Sequence, residues 1–151
     1  MMNTLDIKAK IQVQKPVETV FEAIVDPRHM SGYFIAGGSG RIEEGKELNW
    51  TFPEFDINVP VLGARTESPS FVSFYWDAEN GKKCLVTMTL EAKGPNDTLV
   101  TVTEGSMENN EAGLKWLKGN TEGWANFLAC LKAYLEYGIN LRKGAFDFMR
   151  K

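Results

Sequence analysis

Residues 119–138 of this chain read GNTEGWANFLACLKAYLEYG. Apolar residues recur in this stretch at spacings of three and four, which is the period of a helix with one apolar face. They are Trp124, Phe127, Leu128, Leu131 and Leu135. The pattern predicts a long amphipathic helix that is opened by a turn at residues 120–124 and ends at Gly138.

Upstream of this helix, apolar and polar residues alternate in one stretch after another. A period of two is typical of strands that bury one face. Turn-forming residues separate several of these stretches, notably Asn80-Gly81 and the cluster at 94–97. Because short links favour antiparallel neighbours, we expect one meandering antiparallel sheet. The alternating stretches are 5–13, 48–52, 57–61, 72–76, 86–90 and 100–102.

Two short helical segments are predicted after the first strand. Pro16 suits the first turn of a helix, and apolar residues at helical spacing follow until Asp26-Pro27. Residues 27–32 favour a further helical turn, and the glycines between positions 37 and 45 favour a loop. The order predicts an α+β fold in which the terminal helix buries its apolar face on a curved sheet, with a hollow between them.

Size and composition indicate a single domain spanning 1–151, in which residues 139–151 form a C-terminal tail. With 43% hydrophobic and 25% charged residues, the composition is that of a globular protein. The net charge of −3 argues against a nucleic-acid partner. The tail is locally basic and apolar. We expect it to dock on the domain or to fray, rather than to anchor the protein to a membrane or a partner. Its apolar residues are compatible with a homodimer or with an intramolecular clamp. These tail residues are Arg142, Lys143, Phe146, Phe148, Met149, Arg150 and Lys151.

The N-terminal residues lack the apolar core of a signal peptide, and no run of about twenty apolar residues occurs. We therefore expect a cytoplasmic protein without a membrane span. Cys84 and Cys130 are too few for a disulfide framework or a zinc site, and are interpreted as buried thiols. Neither a phosphate-binding loop nor metal-ligand spacing occurs, so no cofactor and no metal are expected.

Several short motifs carry a family resemblance: residues 17–24, Gly37-Gly38, Glu104-Gly105, and the helix from Gly123-Trp124 onward. They resemble the START-like, or SRPBCC, helix-grip superfamily of lipid-transfer domains, the birch-pollen allergen and polyketide cyclases. Within it, the chain is similar to the branch named for the activator of the heat-shock chaperone's ATPase. The resemblance implies a curved antiparallel sheet wrapped around a long C-terminal helix, with an internal cavity. Tyr33-Phe34 stands where family members often carry a tryptophan before an aromatic residue.

Two residues are weak catalytic candidates. His29 is the only histidine, and nothing in the sequence pairs it with a nucleophile. Glu104 shares strand parity with Val100 and Val102, so a regular strand would point it at the core, where it could move a proton or bind a polar ligand group. The favoured alternative is that Gly105 marks a bulge or strand end, which would turn Glu104 towards solvent or into a salt bridge at the rim.

Aromatic residues are numerous where sheet, loop and helix should meet, and they could line a cavity or fill it. The leading hypothesis is a binding domain for a hydrophobic small molecule, and an enzyme is left uncertain. One alternative is a cyclase- or hydrolase-type enzyme that uses the same pocket; another is a chaperone-ATPase-activator-like stress-response protein. The candidate cavity residues are Tyr33, Phe34, Trp50, Phe52, Phe74, Trp76, Met88, Glu104, Trp116, Trp124 and Leu128.

Overall fold

A computed structural model describes residues 3–78 and 81–150. In these residues one antiparallel sheet packs against a long helix, with two short helices between the first two strands. The strands are β1 (Thr4–Val13), β2 (Gly37–Gly38), β3 (Glu47–Phe52), β4 (Phe55–Glu67), β5 (Phe71–Asp77), β6 (Lys83–Gly94) and β7 (Asp97–Glu108). The helices are α1 (Val17–Val25), α2 (Pro27–Met30) and α3 (Glu111–Tyr137), followed by a 3₁₀ turn at Asp147–Met149.

The strand order is β1-β7-β6-β5-β4-β3-β2, and every neighbouring pair is antiparallel. The predicted meander is therefore confirmed from β3 to β7. Two pairings were not predicted: β2, in the segment predicted to be a loop, pairs with β3, and β1 lies beside β7, with Ile7 opposite Glu104. Asn80 of the predicted Asn80-Gly81 turn lies outside the described residues. The sheet and the long helix together confirm the α+β helix-grip fold.

Helix α3 begins eight residues before Gly119, so the predicted start was wrong. The Asn110 side chain accepts a hydrogen bond of 2.8 Å from the backbone N–H of Gly113, which is a helix N-cap. The turn predicted at residues 120–124 is instead part of the helix, although glycine and asparagine disfavour helix interiors. Packing of the longer helix on the sheet outweighs that local preference. The predicted end at Gly138 is confirmed, since this residue caps the helix with a positive φ of 66°.

The C-terminal half of α3 is fastened to the end of β1. Lys132 Nζ donates to the carbonyl of Gln12 at 2.9 Å, and Glu136 Oε2 accepts from the backbone N–H of Gln14 at 2.7 Å. Lys132 and Glu136 also pair with each other at 2.6 Å. These contacts fix the helix over the sheet, so that its apolar residues share one core with the inward residues of β3, β5, β6 and β7.

Asp26 is both the C-cap residue of α1 and the N-cap residue of α2. Its carboxylate caps α2 by accepting from the backbone N–H of Arg28 at 2.9 Å and also pairs with the Arg28 guanidinium. These hydrogen bonds from Arg28 lower the pKa of Asp26 to about 2. The capped turn directs the chain to Tyr33 and Phe34 at the end of the sheet–helix interface.

Candidate functional site

Glu104 lies on β7 and points into the core, with only 1% of its surface exposed. The sequence-based expectation that it turns to solvent was therefore wrong. A bulge does occur near Gly105: the β1–β7 register shifts between Leu5 and Asp6, so that Ser106 has no partner on β1. Because the shift comes after Glu104 on β7, the inward parity set by Val100 and Val102 persists to Glu104.

Three neutral N–H groups hold the Glu104 carboxylate. Trp76 Nε1 donates to Oε2 at 2.8 Å, Trp124 Nε1 donates to Oε1 at 2.8 Å, and Asn120 Nδ2 donates to Oε1 at 3.1 Å. Among the described residues, no Lys, Arg or His forms an ion pair with it. Each carboxylate oxygen can accept two hydrogen bonds. One lone pair of Oε2 is therefore open with respect to the described part of the chain.

This carboxylate joins three elements of the fold. Trp76 comes from β5, Glu104 from β7, and Asn120 and Trp124 lie one turn apart on α3. Sequence reasoning selected both tryptophans but missed Asn120, which had been placed in a turn. The sequence does carry a signal for Asn120, because it lies four residues before Trp124. In a helix that begins upstream of Asn120, this spacing puts both side chains on the same face.

Aromatic rings contact one another continuously between the sheet and α3. Phe34 lies 4.7 Å from Phe127 and 5.7 Å from Trp50, between ring centroids. Trp76 lies 5.4 Å from Trp124, which is 6.0 Å from Phe34. Most of these contacts are edge-on or tilted, as aromatic pairs prefer. The contacts include Tyr33, Phe52 and Phe74 from the candidate set, and Phe127, which that set omitted.

The remaining candidates Met88, Trp116 and Leu128 are also buried. The structure therefore brings the candidate cavity residues into one core in which rings fill much of the expected hollow. The indole N–H groups of Trp50 and Trp116 are buried without a hydrogen-bond partner in the described chain. A buried unpaired N–H group costs about 1–3 kcal/mol.

A cleft of about 520 Å³ opens at the edge of this core. Phe34 forms part of its wall, and the same ring contacts Trp124 in the core. We call this opening the mouth cleft; it is bounded by Tyr33, Phe34, Pro53, Glu54, Asn140 and Arg142, among others. Its volume falls within the range of small-molecule sites, which is about 300–1,000 Å³. Sequence reasoning did not select Glu54 or assign a site role to Arg142, because their contact joins residues far apart in the chain.

His29 lies apart from Glu104. Its Nδ1 is 2.7 Å from the Tyr134 hydroxyl oxygen, and the two rings meet edge-on. Cys84 and Cys130 are free and buried, and burial raises the pKa of each thiol. In the described ranges, no group of three or more potential ligands is arranged to hold a metal ion. None of the helices described is both long and apolar enough to cross a membrane.

Comparison with solved structures identifies several proteins of this fold. The protein SSP2350 from Staphylococcus saprophyticus is 36% identical; the match covers 91% of this chain and 96% of that one, with a TM-score of 0.79. DynU16, from the dynemicin biosynthetic locus, is 26% identical over 89% of this chain and 48% of its own, with a TM-score of 0.76. The Aha1 dimer from Colwellia psychrerythraea is 18% identical; the match covers 89% of this chain and 98% of that one, with a TM-score of 0.75. At this identity the likeness shows a shared fold and nothing further.

Comparison with curated protein sequences gave no match. A family model, described as Activator of Hsp90 ATPase homolog 1-like protein, matches residues 14–136. The matched range extends from the end of β1 almost to the end of α3, and so includes Glu104 and its three hydrogen-bond donors. The chain therefore belongs to the family of Activator of Hsp90 ATPase homolog 1-like proteins.

Proposed function

We propose that this domain binds a small, mainly apolar molecule between the sheet and α3, with a hydroxyl or N–H group of the ligand donating to Glu104. The observation that carries the proposal is the buried Glu104 carboxylate, which accepts three neutral hydrogen bonds from described residues, none of which occupies the second lone pair of Oε2. Burying a carboxylate without a cation is costly. An apolar side chain would meet the needs of the core at lower cost, so a ligand contact accounts for the carboxylate.

The aromatic neighbours define what surrounds such a ligand. Trp76 and Trp124 both bind Glu104 through their N–H groups and present apolar ring surface around it. Phe34 lines the mouth cleft and also contacts the Trp124 ring. A ligand that enters by the cleft must displace the Phe34 ring before it reaches Glu104. The expected ligand is therefore a flat, apolar molecule with one donor group.

A matched pair of probes tests the proposal on the unaltered protein. 2-Naphthol carries a hydroxyl donor, and 2-methoxynaphthalene has the same ring without the donor. A hydrogen bond to a charged acceptor contributes about 1.5–3 kcal/mol, so we expect 2-naphthol to bind at least about tenfold more tightly. The indole N–H signals of Trp76 and Trp124 in a ¹H–¹⁵N NMR spectrum should shift on titration. Equal affinity for both probes, or no shift of these signals, would contradict the proposal.

The open lone pair of Oε2 also favours a second candidate, an enzyme in which Glu104 removes a proton from a bound substrate. The aromatic ketone 2-tetralone has acidic C–H groups beside its carbonyl and resembles the proposed ligand in shape. If Glu104 acts as a base, the protein should accelerate exchange of these hydrogens in D₂O, and Glu104→Gln should abolish that acceleration. An exchange rate equal to that in buffer would eliminate this candidate.

The family description supports a third candidate, stimulation of a chaperone ATPase. Fold and family do not by themselves transfer an activity, so this candidate needs a direct measurement. The ATPase rate of a purified Hsp90 should rise when the chain is added at increasing concentration. A rate that does not change at any concentration would exclude the role.

Self-association is a further prediction, based on the exposed Phe148 and Met149 of the tail. The Aha1 of Colwellia psychrerythraea is described as a dimer, which supports testing it. Sedimentation velocity across a hundredfold concentration range should show a concentration-dependent dimer. A constant monomer would contradict the prediction.

A further inference from the structure

Residues 139–150 fold back from the end of α3 and run along the mouth cleft; we call them the C-terminal strap. Of the hydrogen bonds among described residues, only those of Arg142 join residues 140–150 to the rest of the domain. Arg142 Nη2 donates to Glu54 Oε1 at 2.7 Å, and its Nε donates to Oε2 at 3.2 Å. Apart from the backbone N–H of Ile139, which donates to the Ala133 carbonyl at the end of α3, the strap's polar attachment to the described domain is therefore a single bidentate ion pair.

The surroundings of this ion pair are apolar. The Glu54 side chain is 2% exposed and that of Arg142 is 15% exposed. The guanidinium also lies over the rings of Phe34, Phe52 and Phe146, at 5.8, 5.6 and 4.9 Å from their centroids. Aromatic faces attract cations at such distances. Arg142 thus contacts both the wall of the mouth cleft and the strap itself.

The remainder of the strap is loosely attached. Phe148 is 79% exposed, and Leu141 and Met149 are about half exposed. The other hydrogen bonds of residues 140–150 close local turns, such as the one from Ala145 N to the carbonyl of Arg142. Segments with few buried contacts open at lower free energy than the core. Release of Arg142 would therefore free the strap while the sheet and α3 stay folded.

We propose that the Arg142–Glu54 pair is a latch, and that its release swings the C-terminal strap away from the mouth cleft. Opening uncovers the outer side of Phe34, behind which lie Trp124 and Glu104. The use of this latch to control ligand entry rests on the proposed function. The opening itself is a property of the chain alone and can be measured without a ligand.

Cys130 provides a reporter of the opening. It lies on α3 with 3% of its surface exposed. Burial raises the pKa of its thiol, while the nearby charge of Arg142 lowers it and that of Glu54 raises it. Cys130 also belongs to the same buried core cluster as Phe34, which lines the mouth cleft together with residues of the strap. Cys84, which is fully buried on β6, serves as an internal control in the same molecule.

The experiment measures the rate at which iodoacetamide alkylates each cysteine, by mass spectrometry of the peptides that contain them. We expect Glu54→Gln and Arg142→Gln each to raise the rate at Cys130 about tenfold or more, and to leave Cys84 unchanged. The matched control is Asp147→Asn, which breaks the exposed pair of Asp147 with Arg150 inside the strap. This control should leave both rates as they are in the unaltered protein.

The two latch variants also separate opening from electrostatics. If the strap stayed closed, Arg142→Gln would remove the charge that lowers the pKa of Cys130 and slow its reaction, whereas Glu54→Gln would speed it. Opening predicts faster alkylation in both. A slower reaction in Arg142→Gln would overturn the latch, and so would equal acceleration at Cys84 and Cys130, which would indicate loosening of the whole fold.

Failure of the latch and failure of ligand binding are distinguishable. Cysteine alkylation is measured without any ligand, and the 2-naphthol comparison is made on the unaltered chain. If both proposals hold, stopped-flow mixing of 2-naphthol with Glu54→Gln should show a faster association rate than with the unaltered protein. An unchanged association rate beside a raised Cys130 rate would overturn the strap's role in ligand entry.

Discussion

Two buried glutamates of this domain are stabilised in opposite ways. Glu104 lies inside the domain and accepts from three neutral N–H groups on β5 and α3. Glu54 lies at the rim and accepts from one guanidinium on the C-terminal strap. The first carboxylate is tied to elements that cannot separate without unfolding the core. The second is tied to a segment that can leave.

The difference shows how the position of a partner decides the role of a buried charge. Donors on packed elements make a carboxylate part of the structural core, because breaking the contacts leaves several buried groups unpaired. A partner on a loosely attached segment can be hydrated when it is released, so the same chemistry can act as a switch. Substitutions at the two glutamates and at their partners test this difference.

The largest effect is expected for Glu104→Gln. The amide brings its own N–H group into a site built entirely of donors, so at least one indole or amide N–H loses its acceptor. We expect a loss of about 3 kcal/mol in the free energy of unfolding, measured in urea. Glu108→Gln is the matched control, since Glu108 lies on the same strand and is exposed; a comparable loss there would contradict the argument.

Removing one donor should cost less. Trp76→Phe and Trp124→Phe each keep an aromatic ring and delete a hydrogen bond of 2.8 Å to Glu104. We expect each to lower the free energy of unfolding by about 1.5 kcal/mol. Combined with Glu104→Gln, the losses should be less than additive, because all three groups form one network. Full additivity would show that the network is not coupled.

Asp26 offers a third buried carboxylate, whose partner Arg28 is 88% exposed. We expect Asp26→Ala to cost about 1 kcal/mol at neutral pH, mainly through loss of the α2 cap. Because the pKa of Asp26 is lowered to about 2, its contribution is fully present above about pH 4 and is lost as the pH falls towards 2. Urea unfolding of both proteins between pH 7 and 2 should show the difference shrinking. If the difference in the free energy of unfolding between the two proteins did not change with pH, the ionised carboxylate of Asp26 would not be its source.

The smallest loss of global stability is expected for Glu54→Gln, below about 1 kcal/mol, since the freed strap lets Arg142 reach water. Hydrogen exchange should quicken at backbone amides of residues 139–150 and not in α3. Breaking a buried ion pair whose partners stay buried typically lowers the free energy of unfolding by about 3–5 kcal/mol. A loss of that size would show that Glu54, like Glu104, is part of the structural core.

Much of the architecture could be predicted from local pattern. The alternation around Val100 and Val102 correctly indicates the inward face of β7, and the apolar spacing from Trp124 to Leu135 correctly indicates the buried face of α3. The start of α3 was missed because Gly119 and Gly123 disfavour helix locally. Their cost is small beside the burial of a long helix against a sheet.

The amino-acid sequence alone therefore indicates the order of elements, the faces they bury and the concentration of aromatic residues between them, since these follow from periods of two and of three to four residues. It is in the folded protein that Glu104 meets Trp76, Trp124 and Asn120, and that Arg142 reaches Glu54 across 88 positions of the chain. Such contacts depend on strand order, helix placement and the path of the strap. No local pattern encodes them, because each partner is brought into reach only when the whole sheet has formed around α3.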